Sequence, residues 1–443
     1  MAPSRATHPA GTAPHAHLTR ALGRWDLAAI GINQVIGSAV FLMPSQVAAQ
    51  VGGWGPIAFL LAGLATLCVA LSFAEAGSRF DTTGGAYLFT RTAFGRFAGF
   101  EVGWMAWFTR ATSQAAVSAG LTLALGFYWP ALASGWGRVA AITLVTLVLG
   151  YVTYRGIRQS ARVVNVLTVG KLVPLALFLV AGLIVADVTR MGPLPPVTFG
   201  QSAAAALLLI FVYGGFDVIA VPAGEATDPR RHVPFAFVVT VAVVTVIYTL
   251  AQFVAEATVP DLPASSTPLA DSALVTMGAT GALVIGAGSI LAMTGNIAGQ
   301  VLAGSRYLFA LAEQGDLPRW FGRIHPAYHT PSNATVFTTV VSLALALSGS
   351  FVALASAAAV ARLLVYAGTC ASVLVFRRPA FAERVAPARF TVPFGPLVPV
   401  AGVAVSLGVI AGISRPQLVG GLVFLTIGAL LYAVARRGTG SLP

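Results

Sequence analysis

The sequence predicts an all-α integral membrane protein of 12 transmembrane helices, built as an inverted repeat of five plus five with two further helices at the end. Three observations support this. The 443 residues are 57% hydrophobic and 9% charged, whereas about a quarter of the residues in a soluble domain are charged. Apolar stretches of about 20 residues, the length an α-helix needs to cross hydrocarbon, recur along the chain. The first and sixth of these stretches are interrupted by glycine and proline in the same layout.

The twelve stretches centre near Gly37, Leu67, Ala111, Val145, Pro174, Gly215, Val243, Thr294, Val341, Leu364, Leu407 and Leu425. Residues 1–22 hold no apolar core and are expected to form a mobile cytoplasmic tail, not a signal peptide. The first repeat is expected over 23–190, the second over 200–376, and the last two helices over 390–437. Basic residues test the count, because cytoplasmic loops are enriched in Lys and Arg. With the N-terminus inside, the inner segments hold twenty arginines, from Arg5 to Arg437, and the outer segments only Arg138, Arg190 and Arg415. Both termini are therefore expected in the cytoplasm, with the chain in the inner (plasma) membrane.

The formal charge of +12 is explained by this asymmetry, which orients the chain against anionic lipid; nucleic acid is not implied. Cys68 and Cys370 fall inside apolar spans, where cysteine serves as a small packing residue. All six histidines (His8, His15, His17, His232, His325, His329) lie in the tail or loops. No metal, cofactor or enzymatic chemistry is expected.

In the first span GSAVFLMP runs from Gly37 to Pro44, and in the sixth GFDVIAVP runs from Gly215 to Pro222. The two spans have opposite orientations, as an inverted repeat requires. Unwound backbone at membrane depth is tolerated only where protein, water or a substrate pairs with it, so matched interruptions point to a transporter's binding site. A continuous pore gives no reason for such a pair. Half-helix amides at Ile36, Gly37, Ser38 and Ala39 offer the positive end of a dipole to a carboxylate. Between the second and third spans, Gly84 to Phe100 mixes Arg91 and Arg96 with aromatics and is expected to form a short interfacial helix.

Arg110, Lys171, Asp217 and Arg362 fall near the middle of spans, where charge is costly and marks function or pairing. Glu75, Glu225 and Glu313 lie toward cytoplasmic ends, in solvated or loop-tethering positions. Lys171 is the only lysine in the chain, beside 25 arginines. Arginine does not release its proton in a protein, whereas a buried lysine can. A site that alternates between ammonium and amine explains the exception; a fixed cation paired with an acid is the alternative. Snorkelling is unfavourable from about 12 Å inside a span, the rise of about eight helical residues.

The motifs VIGSAVFLMP in the first span, FVYGGFD followed by GEATDPRRHVP in the sixth, and SRYLFALAEQGDLPRWF at the end of the eighth are similar to those of the amino acid–polyamine–organocation transporter superfamily. The resemblance covers about residues 24–437. It implies the leucine-transporter fold, with an amino acid held at the midplane between the broken first and sixth helices. The carboxylate would sit on the amides of residues 36–39, and the ammonium on the exposed carbonyls of Phe211, Val212, Tyr213 and Gly214. Phe211 stands where the family often has an aromatic lid. Ala39 departs from the family's usual glycine, which restricts close backbone approach slightly. In sodium-independent members a lysine of the fifth helix takes the place of a sodium ion, so the resemblance gives Lys171 a backbone partner near Asn33. Some relatives carry a glutamate linked to proton-dependent gating near the position of Asp217; a structural salt bridge with Arg110 or another base is the alternative.

The expected function is secondary active transport of amino acids by alternating access, proton-coupled and sodium-independent, with exchange or polyamine transport as the alternative. A polyamine would require several acidic side chains at the site, and only Asp217 is found there. Trp104, Trp107, Phe211 and Phe216 suggest an apolar lining suited to neutral amino acids. The implied partners are the substrate, protons and lipid; no obligate protein partner is inferred.

Overall fold

The computed structural model describes residues 18–191, 194–348, 351–412 and 415–439. Most of the expected tail, residues 1–17, lies outside the described residues. Its last residues are held in place. Ala21 and Leu22 donate their N–H groups to the Glu225 carbonyl at 2.8 and 2.9 Å.

Helix α1 (Arg24–Val35) opens with Asp26, whose carboxylate accepts from the Gly23 N–H at 2.8 Å, at the helix end that favours an anion. The chain unwinds at Ile36–Ser38 and restarts as α2 (Ala39–Val51). A 3-10 turn over Gly52–Trp54 leads into α3 (Gly55–Gly77). Next come α4 (Ala86–Phe94), α5 (Arg96–Tyr128), α6 (Gly135–Arg155) and α7 (Ile157–Val185). The expected short helix between the second and third spans is α4. Its first half, Ala86–Thr90, is buried against protein rather than lying open at an interface. Arg91 and Arg96 reach the buried Asp316 at 3.1 and 2.8 Å, and the Tyr87 hydroxyl donates to it at 2.7 Å.

The second half begins with α8 (Phe199–Val212), followed by two 3-10 pieces, Phe216–Ala220 and Ala223–Glu225. Then come α9 (Pro229–Thr258), α10 (Pro268–Glu313), α11 (Ser332–Leu347), α12 (Phe351–Phe376), α13 (Leu397–Ala411) and α14 (Arg415–Thr439). Within α10, Gly278 has φ +70°, which divides a short leading piece from the long helix. No strand occurs among the described residues.

Among the described residues, five helical stretches are long and apolar enough to cross a membrane: Ala39–Gly77, Gly135–Arg155, Ile157–Val185, Pro229–Thr258 and Pro268–Glu313; shorter apolar helices accompany them. α3 packs along α9, α5 along α10, and α6 along α11. In the order of the expected spans these are the second with the seventh, the third with the eighth and the fourth with the ninth. α13 and α14 both pack on α12.

Buried ion pairs fasten the end that carries the basic loops. Arg306 binds Glu225 through two bonds of 2.9 Å, both side chains fully buried. Glu75 is held by Arg377, Arg79 and the Val392 N–H. Glu75 and Glu225 are thus tethers, and neither is solvated.

Candidate functional site at the two helix breaks

The unwound residues after α1 expose carbonyls that a continuous helix would have used. Side chains from three other helices cap them. The Lys171 ammonium, fully buried on α7, donates to the Asn33 carbonyl at 2.8 Å, the Asn33 Oδ1 at 2.8 Å and the Ile36 carbonyl at 2.5 Å. Three acceptors match the three donors of an ammonium. Asn296 on α10 donates from Nδ2 to the Gln34 carbonyl at 2.8 Å, and Gln34 Nε2 returns a bond to the Asn296 carbonyl at 2.9 Å. The Tyr248 hydroxyl on α9 donates to the Val35 carbonyl at 2.7 Å.

Lys171 is aimed by its own helix. Asn165, Thr168 and Lys171 recur at three-residue spacing, so they share one face of α7. Asn165 donates to Asp26 at 2.6 Å and Thr168 to the Ala29 carbonyl at 3.3 Å, which fastens α7 along α1 up to the break.

Of the four amides expected to face a carboxylate, two have partners. Ile36 N–H donates to Ile32 O at 2.9 Å and Gly37 N–H to Val35 O at 2.8 Å. Among the described residues no acceptor takes the N–H of Ser38 or Ala39, which open α2. A Cβ at Gly37 would stand 3.0 Å from Asn296 Nδ2, so a side chain there would press on the Gln34–Asn296 clamp.

The second break lies directly against the first. Gly215, at φ +121°, approaches so closely that a Cβ would lie 2.8 Å from the Gln34 carbonyl oxygen. α8 ends at Val212, and no backbone N–H among the described residues donates to the Val212 or Tyr213 carbonyl. Those two carbonyls remain open, like the amides of Ser38 and Ala39. The Phe211 side chain lies outside the described residues, so the lid position is not described.

Asp217 sits in the first 3-10 piece. Its carboxylate pairs with Arg110 of α5 at 3.3 Å, both buried, and accepts from the Tyr366 hydroxyl at 3.4 Å. Arg362 of α12 donates to Ser113 at 3.3 Å and presses on Gly214, where a Cβ would lie 1.9 Å from its Nη1. Lys171 and Asp217 therefore belong to different networks, one on the first break and one on the second. Trp104 packs toward α14 and Trp107 toward α11, where their N–H groups reach the Phe424 carbonyl and the Thr338 hydroxyl at 3.3 and 3.2 Å. Phe216 packs on Tyr366 at 5.0 Å between ring centres.

Reading the sequence by charge missed Gln34, Tyr248 and Asn296, because neutral caps carry no such signal. Polar residues in apolar spans would have found them: Asn296 and Gln300 stand one turn apart in an otherwise apolar stretch. The same rule would have flagged Gln252 and Glu256 on α9.

Among the described residues the architecture is all-α, with membrane-length helices and two touching interruptions, as suits a membrane transport protein. The chain belongs to the amino acid permease family, whose model matches residues 22–434, and so to the amino acid–polyamine–organocation superfamily. It is similar to a branched-chain amino acid permease of Bacillus subtilis, 28% identical over 97% of this chain and 95% of the relative. It is also similar to a methylthioribose transporter of the same organism, 27% identical over 95% and 94% of the two chains. A serine/threonine exchanger of that organism is 29% identical over 86% and 87%.

Proposed function

We propose that the protein is a secondary active transporter of amino acids with the leucine-transporter arrangement of 12 membrane helices, both termini cytoplasmic and the inner (plasma) membrane as its site. The observation that carries this reading is the contact between the two breaks. On one side the amides of Ser38 and Ala39 await an acceptor, and on the other the carbonyls of Val212 and Tyr213 await a donor. An α-amino acid supplies one of each at its carboxylate and ammonium, and Ile36, Gly37, Phe211 and Gly214 complete the cradle. The pairing of the second, third and fourth spans with the seventh, eighth and ninth supports a two-fold repeat. Two of the relatives are named for amino acid transport, which supports the substrate class.

Lys171 is the coupling residue in this proposal. Its ammonium holds both edges of the first break and stands where a cation would otherwise be needed, so sodium is not required. Loss of its proton would release the Ile36 carbonyl and free the half-helix to move. Asp217, held by Arg110, would join the coupling at the second break.

The test is uptake and counterflow in proteoliposomes, with a thermal-shift screen of amino acids, decarboxylated amines and polyamines. A ligand at 100 times its Kd stabilises the folded form by about 2.7 kcal/mol. Neutral amino acids should shift the melting point, their amines should not, and uptake should proceed equally in choline and sodium media. A strict sodium requirement, or amines competing as well as their parent amino acids, would sink this reading.

A further inference from the structure

We propose that Glu256 is a proton-binding residue of the carrier, acting on the second half of the first helix through Gln252. This rests on the proton-coupled reading above and concerns a residue with no part in the site already described. Glu256 lies near the end of α9, 6% exposed and one turn before the exposed Pro260 and Asp261. Its Oε1 accepts from Gln252 Nε2 at 2.7 Å, while its Oε2 is buried without a partner among the described residues. The Gln252 side chain is fully buried, and its Oε1 is likewise without a partner.

A single proton would satisfy both orphan oxygens. A proton on Glu256 makes Oε2 a donor and gives the Gln252 oxygen something to accept, the two-bond pairing by which a carboxylic acid and an amide satisfy one another. Without that proton, an anion is buried at 6% exposure with one oxygen unmatched, and each unmatched oxygen retains its desolvation cost. The backbone offers the ionised form some support. α3 begins at Gly55, so close that a Cβ there would lie 2.1 Å from Glu256 Oε1, and a helix N-terminus favours negative charge. Both protonation states therefore have stabilising contacts, as a group that cycles between them requires.

No ion pair reaches Glu256 among the described residues. α2 has no titratable residue. On the other elements packed against α9, the charged groups have other partners. Asp26 of α1 binds Asn165 and Gly23, Lys171 of α7 binds Asn33 and Ile36, Glu75 of α3 binds Arg377, and Arg190 of the Val188–Arg190 turn binds Asp187. Asp217 and Glu225 of the 3-10 pieces bind Arg110 and Arg306, and Asp271 of α10 binds Ser265 and Thr267. Arg24 of α1 lies over Trp25 and Phe235, and Tyr307 and Glu313 of α10, Cys68 of α3, and Arg158 and Arg162 of α7 lie on those same elements.

The link to transport is Gln252. Its Nε2 also donates to the Pro44 carbonyl of α2 at 3.2 Å, and α2 is the half-helix whose first amides face the substrate site. Without the proton the Gln252 oxygen loses its donor, so one of the two bonds that fix the amide plane is missing and the second N–H is free to turn away from Pro44. Protonation restores the second bond, fixes the amide with one N–H on Glu256 and the other on Pro44, and ties α2 to α9. A proton arriving from the side of residues 259–267 would thus fix the half-helix that holds the substrate.

Infrared difference spectra of the full-length protein in detergent test the proton directly, and proteoliposomes test its use. The wild type should show a carboxylic acid C=O band that disappears as pH is raised, and Glu256→Gln should lack that change. Stimulation of uptake by an acid exterior should be lost in Glu256→Gln and retained in Glu256→Asp. Gln252→Leu should keep the band yet lose the stimulation. A band change that survives Glu256→Gln, or wild-type pH stimulation in that variant, overturns the proposal. Wild-type counterflow is the separate check on the amino acid reading: its absence with every amino acid would refute that reading and leave the infrared result to decide Glu256 by itself.

Discussion

The two helix breaks share a seven-residue spacing from glycine to proline, yet their surroundings complete them differently. At the first, four successive carbonyls from Asn33 to Ile36 are each capped by a side chain of a neighbouring helix, and the chain restarts as a regular helix of 13 residues. At the second, the restart carries Asp217, which is drawn to Arg110, and Gly215 turns the chain at φ +121°. There the backbone continues as two short 3-10 pieces with Pro222 between them. Pro44, by contrast, lies inside α2. Carbonyls capped by three side chains leave α2, the half-helix after the first break, a regular helix. A buried ion pair fixes the second break to α5.

The largest effect expected from this contrast is at Lys171. Lys171→Arg keeps a cation but replaces a compact three-donor head by a planar fork that cannot release its proton. In a fully buried site whose three acceptors already match an ammonium, net uptake driven by a pH gradient should fall to background. Lys171→Ala removes the charge; it should still exchange substrate, without dependence on the gradient. Both variants are measured in liposomes across a range of external pH. Accumulation by Lys171→Arg with wild-type pH dependence would make the amine a fixed charge and erase the functional difference between the breaks.

At the second break the expected effect falls on stability. Asp217→Asn leaves Arg110 buried without its anion, a change that costs about 3–5 kcal/mol in buried pairs. Chemical unfolding in detergent should register most of that. Replacing both partners, Asp217→Asn with Arg110→Met, should recover much of it, because the cost arises from the unpaired charge and not from loss of the pair. If the double variant is as unstable as the single one, Asp217 does more than hold the ion pair, and its place in coupling gains weight.

Much of this contrast was legible before any coordinates. The bends fall where glycine and proline interrupt apolar runs, and Lys171 reaches Asn33, the partner that the family resemblance implied. Arg110 with Asp217 was one of the two readings for that aspartate. Other features could not be read, for identifiable reasons. Carbonyl caps such as Tyr248 are neutral, and their role depends on where another helix ends. The 3-10 course after Gly215 depends on a partner on α5, far away in sequence. Trp104 and Trp107 look like a lining by composition, but which way a helix faces is decided by its neighbours, here α11 and α14.

The smallest effect tests whether the caps act together. Tyr248→Phe removes the hydroxyl that donates to the Val35 carbonyl at 2.7 Å and leaves the ring in place. Its ring still packs against Phe59 and Tyr213, at 6.0 and 5.4 Å between centres. Interhelical hydrogen bonds in membranes average about 0.6 kcal/mol and reach about 1.7, so unfolding should shift by about 1 kcal/mol. The carbonyl already accepts the Gly37 N–H at 2.8 Å, which limits the loss. Because three side chains hold the four carbonyls of one unwound segment, the change should also weaken substrate binding slightly, as the first half-helix becomes freer to leave its bound position. A double-variant cycle with Asn296→Ala measures that coupling, since Asn296 caps the adjacent Gln34 carbonyl from another helix. Additive losses would mean that the caps act one by one, and the first break would then be no more a single unit than the second.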